Sequence, residues 1–198
     1  VAGRDGLAIA CDFRDTAAIE ALFAQIRDEW GGVDVLVNAA GLGHEAPLTS
    51  GATEHWREML EVNVLALCVC TREALADMRS RGDDGHVIHI ASMAAHRVPG
   101  GSGVYSATKF AVRSLTEGLR KELRALDSGC RVTAISPGYV ETEFHEVYFG
   151  DAERAAQTYA TKGALAPADV AESVVHVLAA PASVEIHDVL MRPTRQVT

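Results

Sequence analysis

A tyrosine and a lysine four residues apart are the side chains in this chain best suited to moving a proton. Tyr105 and Lys109 lie in Y-S-A-T-K, and Ser92 lies thirteen residues before the tyrosine in H-I-A-S-M. Side chains at i and i+4 of a helix are neighbours, with Cβ atoms about 5–6 Å apart. Because a cation favours the phenolate, we expect Lys109 to lower the pKa of Tyr105 from about 10. The pair predicts a general acid/base, and Ser92 a hydroxyl that donates to the same substrate oxygen.

The elements that would position these residues alternate between short apolar runs and longer helical patterns. The predicted strands are Leu7–Cys11, Val33–Val37, His86–Ala91, Arg131–Ile135 and Ile186–Met191. The predicted helices are Thr16–Trp30, which Gly31-Gly32 ends, Thr53–Ser80 with Thr53 as N-cap, residues 104–126 and Pro167–Leu178. Residues 139–163, which place aromatic side chains among charges, are predicted to be a mobile or helical substrate lid. This alternation predicts an α/β fold, a Rossmann-like doubly wound parallel sheet in three α/β/α layers.

Polar or glycine-containing segments follow three of the predicted strands. N-A-A-G begins at Asn38, Ser92 follows His86–Ala91, and S-P-G begins at Ser136. In such sheets ligands bind beyond the carboxyl ends of the strands. The three segments therefore predict one site at one edge of the sheet.

Composition favours a single domain, residues 1–198, and excludes some classes of partner. The 198 residues are 48% hydrophobic and carry a formal net charge of −9, which argues against nucleic-acid binding. No apolar run reaches the roughly 18 residues of a membrane span, so we expect no membrane contact. The four cysteines form no CxxC pair and the eight histidines no ligand spacing, so we expect free thiols, no metal and a cytoplasmic location.

Six segments, in order along the whole chain, make the sequence similar to the short-chain dehydrogenase/reductase family. They are Asp12 after the first predicted strand, N-A-A-G (Asn38–Gly41), E-V-N-V around Asn63, Ser92, Y-S-A-T-K, and P-G-Y-V-E-T (Pro137–Thr142). The resemblance implies a catalytic tetrad of Asn63, Ser92, Tyr105 and Lys109. It also implies cofactor contacts at Asp12, Asn38, Ala39, Gly41, Tyr105, Lys109, Pro137, Gly138, Val140 and Thr142.

The activity that this resemblance implies is NAD(P)-dependent interconversion of a secondary alcohol and a ketone or aldehyde. Segments such as D-D-G-H-V-I-H-I and the ending M-R-P-T-R-Q-V-T resemble one subgroup of NADP-dependent ketosteroid and dicarbonyl reductases. NADP(H) is therefore favoured, with NAD(H) as the other option, and the subgroup does not fix the small-molecule substrate. Met93, Tyr148 and Phe149, with Val140, are candidates for an apolar substrate wall, although packing of residues 139–163 on the domain explains them equally well. Members of the family assemble as homodimers or homotetramers, which we expect of the full-length protein.

Two departures from the family pattern stand out. Ala39 replaces the second asparagine of N-N-A-G, a mild change. The first strand, the glycine-rich turn and the second strand of the family are absent, so the expected sheet order 3-2-1-4-5-6-7 is supplied only from strand 3 onward. We expect the chain to be a fragment of a longer protein, with one edge of Val33–Val37 unpaired. Gly41-Leu42-Gly43-His44-Glu45-Ala46 fits G-x-G-x-x-A, but Pro47 and a polar loop follow instead of a helix, so we interpret it as a turn.

Two other interpretations remain open from the sequence. A related epimerase or dehydratase also uses YxxxK, although the short region after Pro137 leaves little room for a nucleotide-sugar domain. The second interpretation is that the chain is not an enzyme but a non-catalytic fragment without the pyrophosphate loop. A measurement of cofactor binding would distinguish this fragment from the enzyme.

Overall fold

The most apolar runs of the chain form the middle of a parallel sheet, where both faces are covered. The computed structural model describes residues 6–196, and its four strands pair in parallel in sequence order. They are β1 (Val35–Asn38), β2 (His86–Ile90), β3 (Arg131–Pro137) and β4 (Asp188–Met191). β2 and β3 are buried along nearly their whole length, whereas β1 and β4 alternate between exposed and partly buried residues. The predicted doubly wound α/β fold is confirmed.

The described residues contain seven α-helices. They are α1 (Thr16–Trp30), α2 (Thr53–Leu60), α3 (Ala66–Ser80), α4 (Gly103–Ala125), α5 (Phe144–Phe149), α6 (Ala152–Lys162) and α7 (Pro167–Leu178). Apolar side chains of α1, α3 and α4 pack on one face of β2 and β3, and those of α7 pack on the other. Burying a large aliphatic side chain contributes about 1.5–3 kcal/mol, so these two cores hold the strand ends in place.

Helix boundaries follow the local sequence with one exception. Asp15 accepts a hydrogen bond from the Ala17 N–H at the start of α1, and Gly31, with φ of 77°, ends that helix as predicted. Thr53 is not the N-cap of α2. Ala52 occupies that position in an extended conformation, and Thr53 is the first helical residue.

The predicted helix Thr53–Ser80 is interrupted in the middle. Glu61–Leu65 form a π-helical turn between α2 and α3, with Asn63 at its centre. π-Turns inside α-helices occur frequently at functional sites, because the wider turn redirects side chains. Helical periodicity in the sequence does not reveal such a turn, since the polar and apolar pattern continues through it.

The predicted strand Leu7–Cys11 is wrong. No described residue from Gly6 to Asp12 is in a strand, because no described strand offers the segment a hydrogen-bonding neighbour. β1 consequently lies at an edge, with Val35 43% and Val37 38% exposed. Cys11 and Phe13 still pack against the core beneath α1.

Other predicted boundaries shift by a few residues. The last strand begins at Asp188 instead of Ile186, and residues 139–163 contain the two short helices α5 and α6. The ends of the predicted 1–198 domain, residues 1–5 and 197–198, lie outside the described residues. Within residues 6–196, each helix is either too short or too polar to span a bilayer.

Candidate active site

Ser92 lies at the carboxyl end of β2, where the chain leaves the sheet. Its backbone is extended, and its hydroxyl oxygen accepts a hydrogen bond from the Ala94 N–H at 3.0 Å to start the short 3₁₀ turn Met93–Ala95. A serine hydroxyl has one proton to donate and two acceptor positions. With one acceptor position used by Ala94, the proton remains available to another oxygen.

Tyr105 and Lys109 lie on the first two turns of α4, as their spacing predicts. Lys109 is only 6% exposed, and its Nζ donates to the Ile90 carbonyl at 3.0 Å and lies 5.9 Å from the centroid of the Tyr105 ring. The strand end thus anchors the ammonium beside the phenol.

The predicted fall in the pKa of Tyr105 is wrong. Burial raises the pKa of Tyr105 to about 12, and hydrogen bonding with Ser92 only partly opposes this rise. Burial also lowers the pKa of Lys109 to about 8, because the cation loses hydration. Loss of hydration outweighs the hydrogen bond with Ser92, so the phenol is protonated at neutral pH.

Asn63 connects the loop after β1 to α4. Its Oδ1 accepts from the Leu42 N–H at 2.9 Å, and its Nδ2 donates to the Leu42 carbonyl at 2.7 Å and to Thr108 Oγ1 at 3.1 Å. Thr108 Oγ1 in turn donates to the Tyr105 carbonyl at 2.7 Å. Asn63 is 2% exposed, so these bonds form without competition from water. The amide therefore fixes the helix that carries Tyr105 and Lys109.

A cavity of about 960 Å³ lies over these residues, at the carboxyl ends of the strands. Of the residues expected at the site, those that line it are Ala39, Gly41, Ser92, Met93, Tyr105, Lys109, Pro137, Gly138, Val140, Thr142, Tyr148 and Phe149. These twelve residues, which come from distant parts of the sequence, thus meet at one site. Within residues 6–196, no group of three His, Cys, Asp or Glu side chains is placed to hold a metal ion.

Asp12 and Asn38 lie away from this cavity. Arg14 donates to both carboxylate oxygens of Asp12, and this hydrogen bonding lowers the pKa of Asp12 to about 2. The Asn38 Nδ2 donates to Thr71 Oγ1 at 3.1 Å and ties β1 to α3. Their contacts with a cofactor stay predictions.

An aromatic cluster closes the cavity above Tyr105. The ring centroids of Phe144 and Tyr148 lie 5.2 and 6.2 Å from that of Tyr105. Gly43 packs against all three rings, since a Cβ there would lie 2.8 Å from Tyr148 Cδ2, 2.9 Å from Phe144 Cζ and 3.1 Å from Tyr105 Cδ2. The sequence predicts only a turn at Gly43, and nothing in it places the α5 rings over this residue.

A second pair that the sequence did not reveal attaches residues 139–163 to the loop after β1. Arg154 donates to both carboxylate oxygens of Glu45, at 2.6 and 2.8 Å, and lies 4.1 Å from the centroid of the Phe149 ring. The Glu45 N–H also donates to the Tyr148 carbonyl at 2.9 Å. The partners lie more than a hundred residues apart in sequence, so only the folded structure brings them together.

Comparison with known proteins agrees with this architecture. Residues 2–152 match the family described as short chain dehydrogenase. The chain belongs to this family.

Relatives within the family have known names. The dehydrogenase/reductase SDR family member 11 of Bos taurus is 51% identical over 192 residues, which are 95% of this chain and 75% of that protein. The NADP-dependent 3-hydroxy acid dehydrogenase YdfG of Salmonella typhi is 41% identical over 198 residues, covering 98% of this chain and 78% of that protein. The chain thus spans about three quarters of the length of these short-chain dehydrogenases.

Solved structures of the family have the same fold. The closed form of serine dehydrogenase in complex with NADP+ has a TM-score of 0.89 and 40% identity, covering 95% of this chain and 76% of that one. An alcohol dehydrogenase from Thermococcus sibiricus, in complex with 5-hydroxy-NADP, has a TM-score of 0.81 at 27% identity, covering 95% of this chain and 74% of the other.

Proposed function

We propose that this short-chain dehydrogenase interconverts a secondary alcohol and a ketone or aldehyde, with Tyr105 as the general acid/base. One observation carries the proposal: Ser92, Tyr105 and Lys109 line the same cavity at the carboxyl end of the sheet. The protein is an NAD(P)-dependent oxidoreductase acting on a small molecule. Relatives whose names or structures include NADP support NADP(H) as its favoured cofactor.

The nicotinamide half of that cofactor fits the cavity. Gly41 leaves space beside Lys109, since a Cβ there would lie 3.4 Å from the lysine Nζ. Val140 lines the cavity, and its N–H donates no hydrogen bond to any described residue. Lys109 would hold a ribose hydroxyl, and the backbone of Val140 would hold the carboxamide. When bound, the nicotinamide supplies the hydride-transfer chemistry.

The side chains of the chain then manage the proton and the charge on the substrate oxygen. Ser92 donates a hydrogen bond to the carbonyl oxygen and stabilises the negative charge that develops there. Tyr105, whose pKa of about 12 keeps it protonated at neutral pH, gives its proton to that oxygen. The Lys109 ammonium stabilises the resulting phenolate.

Met93, Tyr148 and Phe149 form the substrate wall in this proposal, and residues 139–163 form the lid. Their side chains line the cavity, and the lid covers Tyr105 through Phe144 and Tyr148. Excluding water there strengthens the electrostatic interactions of Ser92 and Tyr105 with the carbonyl oxygen.

Transfer of deuterium would test this function directly. The protein is incubated with NADPH carrying deuterium at the transferred position and with a panel of ketones and aldehydes, and each product is analysed by mass spectrometry. We expect one deuterium on the carbinol carbon of the product alcohol. An isomerised or dehydrated product without deuterium would instead indicate the related epimerase or dehydratase activity.

A second candidate is a non-catalytic or inactive fragment of such an enzyme that lacks the cofactor pyrophosphate loop. The observation that favours it is the unformed strand at Leu7–Cys11, with Asp12 paired to Arg14 and outside the cavity. Calorimetric titration with NADPH and then NADH separates the candidates. Micromolar binding supports the enzyme, and absence of binding by a folded sample supports the second candidate.

Assembly and location are further parts of the proposal. We expect a homodimer or homotetramer of the full-length protein, in the cytoplasm. Light scattering of the purified protein tests the first expectation, and fractionation of cells tests the second.

A further inference from the structure

Arg97 is a charged residue of the cavity that the proposed mechanism leaves without a role. It follows the 3₁₀ turn Met93–Ala95, five residues after Ser92, and its half-buried side chain lines the cavity. The Nε atom is buried and donates to no described residue. Buried guanidinium donors are ordinarily paired, because leaving one unsatisfied costs free energy.

The other cations that line the cavity each have a partner within the chain. Lys109 donates to the Ile90 carbonyl, Lys162 donates to the Tyr139 hydroxyl at 3.2 Å, and Arg154 binds Glu45. Arg97 differs from these three, since no hydrogen bond or ion pair joins its guanidinium to a described residue.

The cavity also offers no carboxylate that Arg97 could use. Glu45 is the one acidic residue among the described residues that line it, and both of its carboxylate oxygens already accept from Arg154. Arg97 therefore contributes to the cavity lining a positive charge that no described carboxylate neutralises. A guanidinium matches a carboxylate with two parallel hydrogen bonds.

We propose that Arg97 binds the carboxylate of the substrate, so that the protein prefers oxo acids and hydroxy acids over neutral carbonyl compounds. This inference rests on the proposed function, because it assigns the second end of the molecule whose carbonyl meets Ser92 and Tyr105. The short distance in sequence from Ser92 to Arg97 places both contacts on one continuous segment. The ion pair would then select the substrate and orient its carbonyl group.

Calorimetry with levulinate and its methyl ester, each with and without saturating NADP+, tests the proposal. The two ligands share the ketone and differ in the anionic group. The variants are Arg97→Gln, Arg97→Lys and Arg113→Gln, the last being an exposed arginine of α4 outside the cavity that controls for the loss of one charge. Circular dichroism establishes that each variant is folded.

We expect the unchanged protein to bind levulinate at least tenfold more tightly than the ester. Arg97→Gln should remove this preference, Arg97→Lys should retain part of it, and Arg113→Gln should keep it. Equal affinity for both ligands, no binding of levulinate, or a loss in Arg97→Gln that is the same for both ligands would overturn the proposal. If Arg97→Gln weakens the binding of NADP+ and leaves the binding of levulinate unaffected, Arg97 serves the cofactor and the proposal is also wrong. Binding is measured without turnover, so the deuterium experiment stands or fails independently.

Discussion

Gly43 gives the sharpest test of how the lid meets the catalytic tyrosine. In Gly43→Ala, the new Cβ would lie 2.8 Å from Tyr148 Cδ2, 2.9 Å from Phe144 Cζ and 3.1 Å from Tyr105 Cδ2. Ring carbons cannot rotate away from such a contact as the end of a long side chain can. The rings must therefore move by several tenths of an ångström, away from Gly43 or from one another.

The cost of Gly43→Ala can be estimated from overpacking. Adding one methyl group to a filled site typically destabilises a protein by about 1–3 kcal/mol. Each kcal/mol lowers the Tm of a domain of this size by about 2–4 °C. Movement of the Tyr105 phenol adds a loss in kcat/KM of about 10–100-fold, because misplacement by one ångström can cost that much.

Thermal unfolding and steady-state reduction of a carbonyl substrate measure the two effects of Gly43→Ala. Gly118→Ala is the matched control, since it lies on α4 with Tyr105 and a Cβ there meets no atom within 4 Å. The double variant Gly43→Ala/Tyr148→Ala removes the nearest ring and should recover part of the lost stability. Unchanged Tm and kcat/KM in Gly43→Ala would refute the packing described here.

Three further predictions concern other contacts of the site. Glu45→Gln should raise KM severalfold. It should change the free energy of unfolding by less than about 1 kcal/mol, because the ion pair with Arg154 is exposed. Exchanging the two residues should restore KM, and failure to do so would exclude the ion pair as the cause. The kcat/KM of reduction should decline as pH rises through about 8, because the lowered pKa of Lys109 means that it loses its charge there. A kcat/KM profile that is flat from pH about 7 to 9 would contradict a role for the Lys109 charge. Asn63→Leu should destabilise the fold by about 2–4 kcal/mol in chemical unfolding, since the N–H and carbonyl of Leu42 lose their buried partner. A change below about 1 kcal/mol would show that these groups find another partner.

Much of the architecture could be predicted from local patterns. The apolar runs of β2 and β3 and the i, i+4 spacing of Tyr105 and Lys109 depend on residues close in sequence, and the structure contains them. The strand predicted at Leu7–Cys11 is wrong because a strand requires a hydrogen-bonding neighbour as well as an apolar sequence. The π-turn at Asn63 could not be predicted because hydrogen bonds to Leu42, twenty-one residues away, accompany it.

In the candidate site too, features that depend on residues close in sequence could be predicted, whereas features that depend on distant contacts could not. Motif order brought most of the expected residues to the cavity, although Asp12, Asn38 and Asn63 do not line it. The pKa of Tyr105 depends on burial, which the Y-S-A-T-K spacing does not report. The contacts of Gly43 with the α5 rings and of Glu45 with Arg154 also join distant parts of the chain. These features follow from three-dimensional packing and became visible only in the structure.

Replacement of Tyr105 by phenylalanine tests the central claim most directly. Tyr105→Phe removes only the phenolic hydroxyl, and Tyr159→Phe removes one that does not line the cavity. NADPH consumption with a carbonyl substrate is measured for both variants and the unchanged protein, alongside circular dichroism. We predict that Tyr105→Phe lowers turnover by about 10²–10⁴-fold with the fold intact, and that Tyr159→Phe lowers it by less than about tenfold. Turnover of Tyr105→Phe close to that of the unchanged protein would contradict the assignment of Tyr105 as the general acid.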